Sequence, residues 1–389
     1  MKLKVCLLST IAFGLEACAS ITTTPSDSSN DAVSSEDPLM YRYGDKEKYQ
    51  DFLSGEVVYN EVVMLVEENG KISGNLLYEP TEIISVKDYS LEKEYASSEF
   101  EIEGRRLVRT ASSTLPYLSE ENLRGENLPN SIGTMAAKEG VVPFTEGPGL
   151  TMLTVNVTYA HKEKWDKEKP IYQGNLLPNA ISKLKNKEPL RIGFYGDSIM
   201  TGCNSSGKLG IPPYLDDFPT AATEQLKDLY GYQDIEMFNS SKGGMLSDWG
   251  ETNVASLVNY YDPDLVFLGF GMNDGSWNVR PDIYVSHIET MLNLIQAHNQ
   301  GAEVVVVATI LANPDSLQNN IQDTYLEPLK EMLSNYEGVS LMDMTTYSKN
   351  LLSRKRSFDL YANNINHPND FMVRGYVSNI LTLLAEDYR

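Results

Sequence analysis

The sequence predicts a fold of the α/β class, in which a parallel sheet with helices on both faces follows a small antiparallel β-sandwich. The first observation is that, from residue 188 onward, short apolar segments alternate with segments of helical periodicity. Such alternation is typical of parallel strands joined by crossover helices. The second is that residues 40–175 contain short β-rich segments separated by turns. A chain of 389 residues is long enough for two domains of these kinds.

The N-terminal β-rich region, residues 40–175, includes the alternating or β-branched runs 56–66, 82–86 and 150–159. Short strands bury a core only when two sheets pack together, so this region is predicted to be a small antiparallel β-sandwich. We expect it to shape the rim of a cleft rather than to bind sugars by itself, because a fold alone assigns no function.

The C-terminal region, residues 188–389, is predicted to be one α/β domain. Its expected strands are 190–195, 235–238, 265–269, 303–310 and 339–343, and its expected helices lie near 218–230, 251–261, 281–298, 319–336 and 370–388. In such a domain, polar residues just after the strands share one edge of the sheet, where α/β proteins bind ligands.

The N-terminus carries the pattern of an export signal. Residues 1–18 begin with lysines, continue through a short apolar run and end in small residues, as secretory signal peptides do. The segment ending at Cys18 also resembles a bacterial lipobox, in which this cysteine would be lipidated. Residues 19–39 contain too little apolar surface to fold and are predicted to form a tether. We therefore expect an exported cell-envelope lipoprotein, with a secreted or periplasmic protein as the alternative.

Charge and cysteine content exclude several classes of partner. A net charge of −22 argues against binding to nucleic acid or to an anionic membrane surface, because both would repel the protein. The chain has only three cysteines, so no disulfide framework is predicted, and no zinc or phosphate-loop pattern occurs in the sequence. No metal and no cofactor are therefore predicted.

A Gly-Asp-Ser turn that ends in Ser198 follows the first strand of the α/β region. Many serines after a strand only cap a helix. A serine hydroxyl becomes a useful nucleophile when a base lies within hydrogen-bonding distance and donors stabilise the oxyanion that forms. Three later motifs offer such groups: Asn239-x-x-x-Gly-Gly244, Gly271-x-Asn273-Asp, and His367-Pro.

Read in order, these four motifs resemble the conserved blocks of the SGNH hydrolases, a branch of the GDSL esterase superfamily. The resemblance implies a three-layer α/β/α, flavodoxin-like domain. It implies that Ser198 is the nucleophile and His367 the general base. It also implies an oxyanion hole formed by the backbone N–H groups of Ser198 and Gly244 and by the side chain of Asn273, with no metal or cofactor.

One position departs from this family's pattern. Most members carry an acid three residues before the histidine, where it fixes the imidazole tautomer. Here that residue is Asn364. We therefore expect a Ser-His dyad oriented by a neutral group, either Asn364 or a backbone carbonyl. A nearby carboxylate such as Asp359 or Asp370 is one alternative, and a catalytically lapsed site is another.

The predicted activity is removal of O-acetyl or other short acyl groups from a carbohydrate, because exported relatives with an N-terminal β-domain resemble carbohydrate esterases. Two alternatives stay open: a lipase or acyl-thioesterase of the same superfamily, and a glycan-binding lipoprotein whose site has lapsed. Tyr195, Trp249 and Trp277 adjoin the motifs and either line a pocket or pack in the core. His287 and His298 lie in a helix away from the strand ends and are predicted to be surface or structural residues.

Overall fold

The computed structural model of the chain describes residues 49, 51–129, 131–386 and 388. The predicted signal peptide with Cys18 and the predicted tether lie outside the described residues. Within them, no helix has both the length and the apolar character needed to cross a bilayer.

Antiparallel sheets form the N-terminal part of the described chain. Their strands are β1 Val57–Met64, β2 Val66–Glu68, β3 Lys71–Asn75, β4 Pro80–Asp88, β5 Phe100–Glu103, β6 Arg106–Arg109, β7 Gly133–Ala136, β8 Val141–Phe144 and β9 Thr154–His161. They pair in the orders β1-β9-β4, β2-β3-β6-β5 and β7-β8. A short helix, α1 Glu120–Leu123, lies between β6 and β7.

A five-stranded parallel sheet forms the C-terminal part. Its strands are β10 Leu190–Gly196, β11 Ile235–Asn239, β12 Leu265–Gly269, β13 Glu303–Ala308 and β14 Val339–Asp343. They are arranged in the order β11-β10-β12-β13-β14, in which every neighbouring pair is parallel. This is the strand order of flavodoxin-like sheets, so the predicted fold class is confirmed.

Helices cover both faces of this sheet. They are α2 Pro178–Asn186, α3 Ser206–Leu209, α4 Phe218–Tyr230, α5 Ser247–Leu257, α6 Met272–Ser276, α7 Pro281–His298, α8 Leu326–Leu333, α9 Met344–Leu352 and α10 Asp370–Leu384. Because side chains alternate along a strand, Phe194 points to the face packed by α4 and α10, whereas Tyr195 points to the face packed by α5, α7 and α8.

The buried cores of the two parts are continuous. Helix α10 is buried along its whole length, because its outer side is covered by the antiparallel part. The ring of Phe52 stacks on that of Phe371 with 4.2 Å between centroids. Arg374, inside α10, donates to the carbonyl of Asn60 at 2.8 Å. The division into a 40–175 sandwich domain and a 188–389 hydrolase domain stays a prediction.

Several helical elements differ from the sequence-based expectation. The helix expected near 319–336 is only Leu326–Leu333, because side chains of Ser316 and Gln322 accept backbone N–H groups and hold the preceding residues in turns. Helices α2, α3, α6 and α9 are not among the expected helices. Helix α9 begins where the Asp343 side chain accepts the N–H of Thr346 at 2.8 Å.

Candidate active site

Ser198 lies in a tight turn at the carboxyl end of β10. A Cβ on Gly196 would come within 1.9 Å of the Gly269 carbonyl oxygen, so the approach of β10 to β12 requires glycine there. The N–H of Asp197 donates to that same carbonyl at 3.1 Å. A carboxyl oxygen of Asp197 accepts the N–H of Ile199 at 2.9 Å. The turn thus brings the Ser198 hydroxyl to the carboxyl edge of the sheet.

His367 lies in the turn that precedes α10. The Asn363 side-chain oxygen accepts the backbone N–H groups of Ile365, Asn366 and His367 at 2.9–3.0 Å and so holds this turn. The imidazole Nε2 lies 2.9 Å from Ser198 Oγ. The structure therefore brings the predicted nucleophile and base within hydrogen-bonding distance.

Two acceptors face the other ring nitrogen. His367 Nδ1 is 2.6 Å from Asn204 Oδ1 and 3.1 Å from Glu146 Oε2. Asn204 Nδ2 donates to the Glu146 carbonyl at 2.9 Å, which orients the amide so that its oxygen faces the ring. Nδ1 therefore carries the ring proton, and Nε2 is left to accept the proton of Ser198.

Sequence reasoning missed both of these partners. Glu146 lies between β8 and β9, 221 positions from His367 along the chain, and no local motif marks it. Asn204 follows the Ser198 motif by six residues and has a left-handed φ of 67°. A left-handed φ is uncommon for a residue other than glycine, so this conformation close to a candidate nucleophile indicates that Asn204 has a specific role.

Asn364 does not orient His367, which corrects the sequence-based expectation. Its side-chain oxygen accepts from Ser357 Oγ at 2.8 Å, and its Nδ2 donates to the Pro143 carbonyl at 2.9 Å. The φ of Asn364 is left-handed, at 62°, and the hydrogen bonds of its side chain stabilise the turn that contains it.

The alternative carboxylates also bond elsewhere. Asp359 accepts the N–H of Met64 at 2.8 Å, and Asp370 accepts the N–H of Ser206 at 2.8 Å. Neither of these hydrogen bonds involves His367.

Besides the N–H of Ser198, the predicted oxyanion donors lie in two adjacent segments. Lys242, in the loop after β11, donates its N–H to the Gly196 carbonyl at 2.9 Å, and a Cβ on Gly243 would come 3.7 Å from Ser198 Cβ. Gly244 has a φ of 75°, which favours glycine. Asn273, in α6, donates one Nδ2 hydrogen to the Met245 carbonyl at 3.0 Å, which leaves the second available. The donation of these groups to an oxyanion stays a prediction.

The three aromatic residues near the motifs have different environments. Tyr195 is buried and donates its hydroxyl to the Gly250 carbonyl at 2.9 Å. Trp249 packs against Tyr195 and Phe270, at centroid distances of 5.8 and 6.5 Å. Trp277 is 71% exposed and lies one helical turn after Asn273, to whose carbonyl its N–H donates at 2.9 Å. Of the three, Trp277 presents its ring to solvent.

Several known proteins are similar to this chain. Residues 194–372 match the model of the GDSL-like lipase/acylhydrolase family. An arylesterase from Vibrio mimicus is 27% identical over 147 residues, which cover 38% of this chain and 66% of that protein.

Two solved structures are also similar. A two-domain esterase active on acetylated mannans, crystallised with mannopentaose, is 21% identical with a TM-score of 0.43, over 54% of this chain and 53% of that one. A catalytic mutant of an acetylxylan esterase from Geobacillus stearothermophilus is 15% identical with a TM-score of 0.42, over 51% of this chain and 95% of that one. The chain thus spans about half the length of the two-domain esterase and just under two thirds of the arylesterase.

Proposed function

Because residues 194–372 are a domain of the GDSL-like lipase/acylhydrolase family, we propose that this chain is a serine esterase that forms an acyl-enzyme on Ser198. The observation that carries the proposal is the 2.9 Å contact between Ser198 Oγ and His367 Nε2. The protonated Nδ1 supports it, because this tautomer leaves Nε2 as a proton acceptor.

In the proposed mechanism, Ser198 Oγ attacks the ester carbonyl while His367 Nε2 accepts the hydroxyl proton. The N–H groups of Ser198 and Gly244 and the amide of Asn273 stabilise the resulting oxyanion. The imidazolium then gives its proton to the leaving alcohol as the C–O bond breaks. In the second half, water attacks the acyl-enzyme carbonyl while Nε2 takes one of its protons. The imidazolium then returns this proton to Ser198 Oγ as the bond between Oγ and the acyl carbon breaks, and the free acid leaves.

The proposed substrate is a carbohydrate with O-acetyl or other short acyl groups. The exposed ring of Trp277, one turn from Asn273, supports this choice. An aromatic face carries partial negative charge, which attracts the C–H groups on the face of a sugar ring. A lipase or acyl-thioesterase would instead need an apolar surface for a long acyl chain.

The test is acid release by the wild-type chain and by Ser198→Ala, with Ser182→Ala on the exposed side of α2 as the matched control. Aryl esters of increasing acyl length and an acetylated polysaccharide are the substrates. We expect Ser198→Ala to lose at least about 1,000-fold in kcat, and the control to match the wild type.

Each outcome has a distinct meaning. Serine-dependent acetate release that falls steeply with acyl length supports the carbohydrate esterase. A preference for long acyl chains transfers the assignment to the lipase or thioesterase class. If no ester is hydrolysed in a serine-dependent way, the enzyme proposal is wrong and the lapsed glycan-binding protein replaces it.

We also propose export as a lipoprotein with Cys18 as the acylated residue. The lysine-rich start, the short apolar run and the small residues before Cys18 support this proposal. Labelled fatty acid should be incorporated into the wild-type chain and not into Cys18→Ser. Equal labelling of both chains would contradict it, and release of unlabelled protein into the medium would favour plain secretion.

A further inference from the structure

We propose that Glu146, from the antiparallel part of the chain, is a positioning residue whose carboxylate stabilises the charged form of His367 during the reaction. The inference rests on the proposed serine esterase function. It assigns to Glu146 the task that the residue at position 364 has in most related enzymes.

Glu146 is tied to the site by three separate groups. Its Oε2 lies 3.1 Å from His367 Nδ1, and its Oε1 accepts from Asn363 Nδ2 at 3.2 Å. Its backbone carbonyl accepts from Asn204 Nδ2 at 2.9 Å. Three residues of the α/β part therefore hold one residue of the antiparallel part, and Asn363 also holds the His367 turn.

The two acceptors at Nδ1 have different tasks. Asn204 Oδ1, at 2.6 Å, is the closer acceptor, and its hydrogen bond keeps the ring proton on Nδ1. Because the amide is neutral, it adds no charge to the site. Glu146 Oε2, at 3.1 Å, brings negative charge. This charge matters when the proton of Ser198 reaches Nε2, because an imidazolium then faces a carboxylate.

The charge state of Glu146 supports this division. Burial raises the pKa of its carboxyl group, but the hydrogen bond and charge of His367 and the hydrogen bond from Asn363 outweigh burial and leave the pKa lowered. The group is therefore ionised at neutral pH. Its side chain is still 40% exposed, so solvent screens part of its field. We therefore expect a moderate effect on rate.

The central experiment is Glu146→Gln in the full chain, assayed with an aryl acetate. Glutamine keeps the size of the side chain and an oxygen acceptor but removes the charge. We expect kcat to fall about 10- to 100-fold with little change in KM, because the tautomer is still fixed by Asn204. The acidic limb of the kcat/KM profile should move to lower pH, because an imidazole without an adjacent carboxylate protonates less readily.

A second variant separates charge from structure. In the Glu146→Gln background, Asn204→Asp puts a carboxylate at the nearer acceptor, and aspartate tolerates the left-handed φ of 67°. This change removes the hydrogen bond from Asn204 Nδ2 to the carbonyl of residue 146, so the recovery is expected to be partial. We expect this double variant to recover several-fold in kcat. Glu139→Gln, an exposed carboxylate in the turn between β7 and β8, is the matched control and should match the wild type.

The outcomes are distinguishable from failure of the proposed function. A kcat of Glu146→Gln within twofold of the wild type overturns the inference. A lower kcat with an unmoved acidic limb and no recovery in the double variant also overturns it, because Glu146 would then act only in folding. If Ser198→Ala keeps full activity, the proposed function itself is wrong, whatever Glu146 does.

Discussion

The carboxylate of Asp274 accepts both the backbone N–H of Ser247, at 3.0 Å, and the Ser247 hydroxyl. Asp274 directly follows Asn273 in α6, and Ser247 begins α5 three residues after Gly244. His287 Nδ1 lies 2.8 Å from Ser247 Oγ, so this histidine supports the same contact from α7. This buried carboxylate, together with the hydrogen bond from Asn273 Nδ2 to the Met245 carbonyl, joins the segments that carry Gly244 and Asn273, the predicted oxyanion donors.

We predict that Asp274→Ala lowers kcat about 10- to 100-fold and changes KM little, because the two oxyanion donors lose their fixed separation. The unpaired N–H of Ser247 should also lower the free energy of unfolding by about 1–3 kcal/mol. Steady-state kinetics and urea unfolding measure the two effects. Asp282→Ala, which removes an exposed ion pair with Arg280, is the control. An unchanged kcat in Asp274→Ala would mean that the donors hold their positions without it.

Asn364→Asp restores the residue type that related enzymes carry, and we predict that it gives no gain in activity. Asn364 is fully buried, and its Nδ2 donates to the Pro143 carbonyl. An aspartate cannot donate there and would bury a charge, which should lower the free energy of unfolding by about 2 kcal/mol or more. Kinetics and urea unfolding test this, with the exposed Asn335→Asp as the control. A higher kcat would show that the side chain at position 364 does reach His367.

Lys355 and Glu61 form a fully buried ion pair that joins the loop after α9 to β1. Lys355 also donates to the carbonyl of Asn75 at 2.6 Å. We predict that Lys355→Met lowers the free energy of unfolding by about 3–5 kcal/mol, because Glu61 stays buried without its counter-charge. Chemical denaturation measures this.

The double variant Glu61→Gln/Lys355→Met should be more stable than Lys355→Met alone, because the Glu61 charge is removed as well and only Asp359, 3.9 Å from Lys355 Nζ, has lost a counter-charge. Lys330→Met, which loses partly exposed pairs with Glu327 and Asp343, should cost less than about 1 kcal/mol. Equal losses at the buried and the exposed lysine would contradict this interpretation.

The parallel sheet could be predicted from sequence because its central strands are buried on both faces. Residues 265–269 and 303–308 are continuous apolar or buried runs, and helical periodicity separates them. Ser198, Asn273 and His367 could be identified from sequence because each belongs to a short motif next to the end of a predicted strand or helix. Local sequence patterns therefore predict a site residue when that residue and the end of a secondary-structure element lie within a few consecutive positions.

The partners of His367 Nδ1 could not be predicted in this way. Glu146 lies in a connection between two short strands, and only the folded chain brings it to a histidine 221 positions later. Asn364 lies three residues before His367, where an orienting residue was expected. It has a left-handed φ, and its side chain bonds to the Pro143 carbonyl and to Ser357 Oγ instead. Neither of these hydrogen bonds reaches the histidine. Spacing along the sequence predicts a side chain's position better than its hydrogen-bond partner.

Burial raises the pKa of the Asp197 carboxyl group from 3.8 to about 7. In the folded chain this group holds its proton up to about pH 7, whereas in the unfolded chain it loses the proton near pH 4. The folded state therefore binds more protons in this window, and wild-type stability falls as pH rises through it.

We predict that Asp197→Asn, which keeps an acceptor for the Ile199 N–H, becomes progressively more stable relative to the wild type between pH 4 and 7. The upper limit is about 4 kcal/mol, at 1.36 kcal/mol for each pH unit. Urea unfolding at a series of pH values measures the difference, and values below pH 4 serve as the internal reference. A difference that stays constant with pH would contradict the raised pKa.

Substitution of Trp277 tests whether the substrate is a carbohydrate without changing the residues of the chemical step. We predict that Trp277→Ala raises KM for an acetylated polysaccharide about 5- to 10-fold, because about 1 kcal/mol of ring contact with the sugar is lost. The kcat and the hydrolysis of a small aryl acetate should not change, because the ring does not contact the reacting atoms. Tyr260→Ala is the control, since Tyr260 is 78% exposed but precedes β12 at the opposite edge of the sheet. If KM for the polysaccharide is the same in Trp277→Ala, Tyr260→Ala and the wild type, Trp277 is not a sugar-binding surface and the carbohydrate assignment loses its structural support.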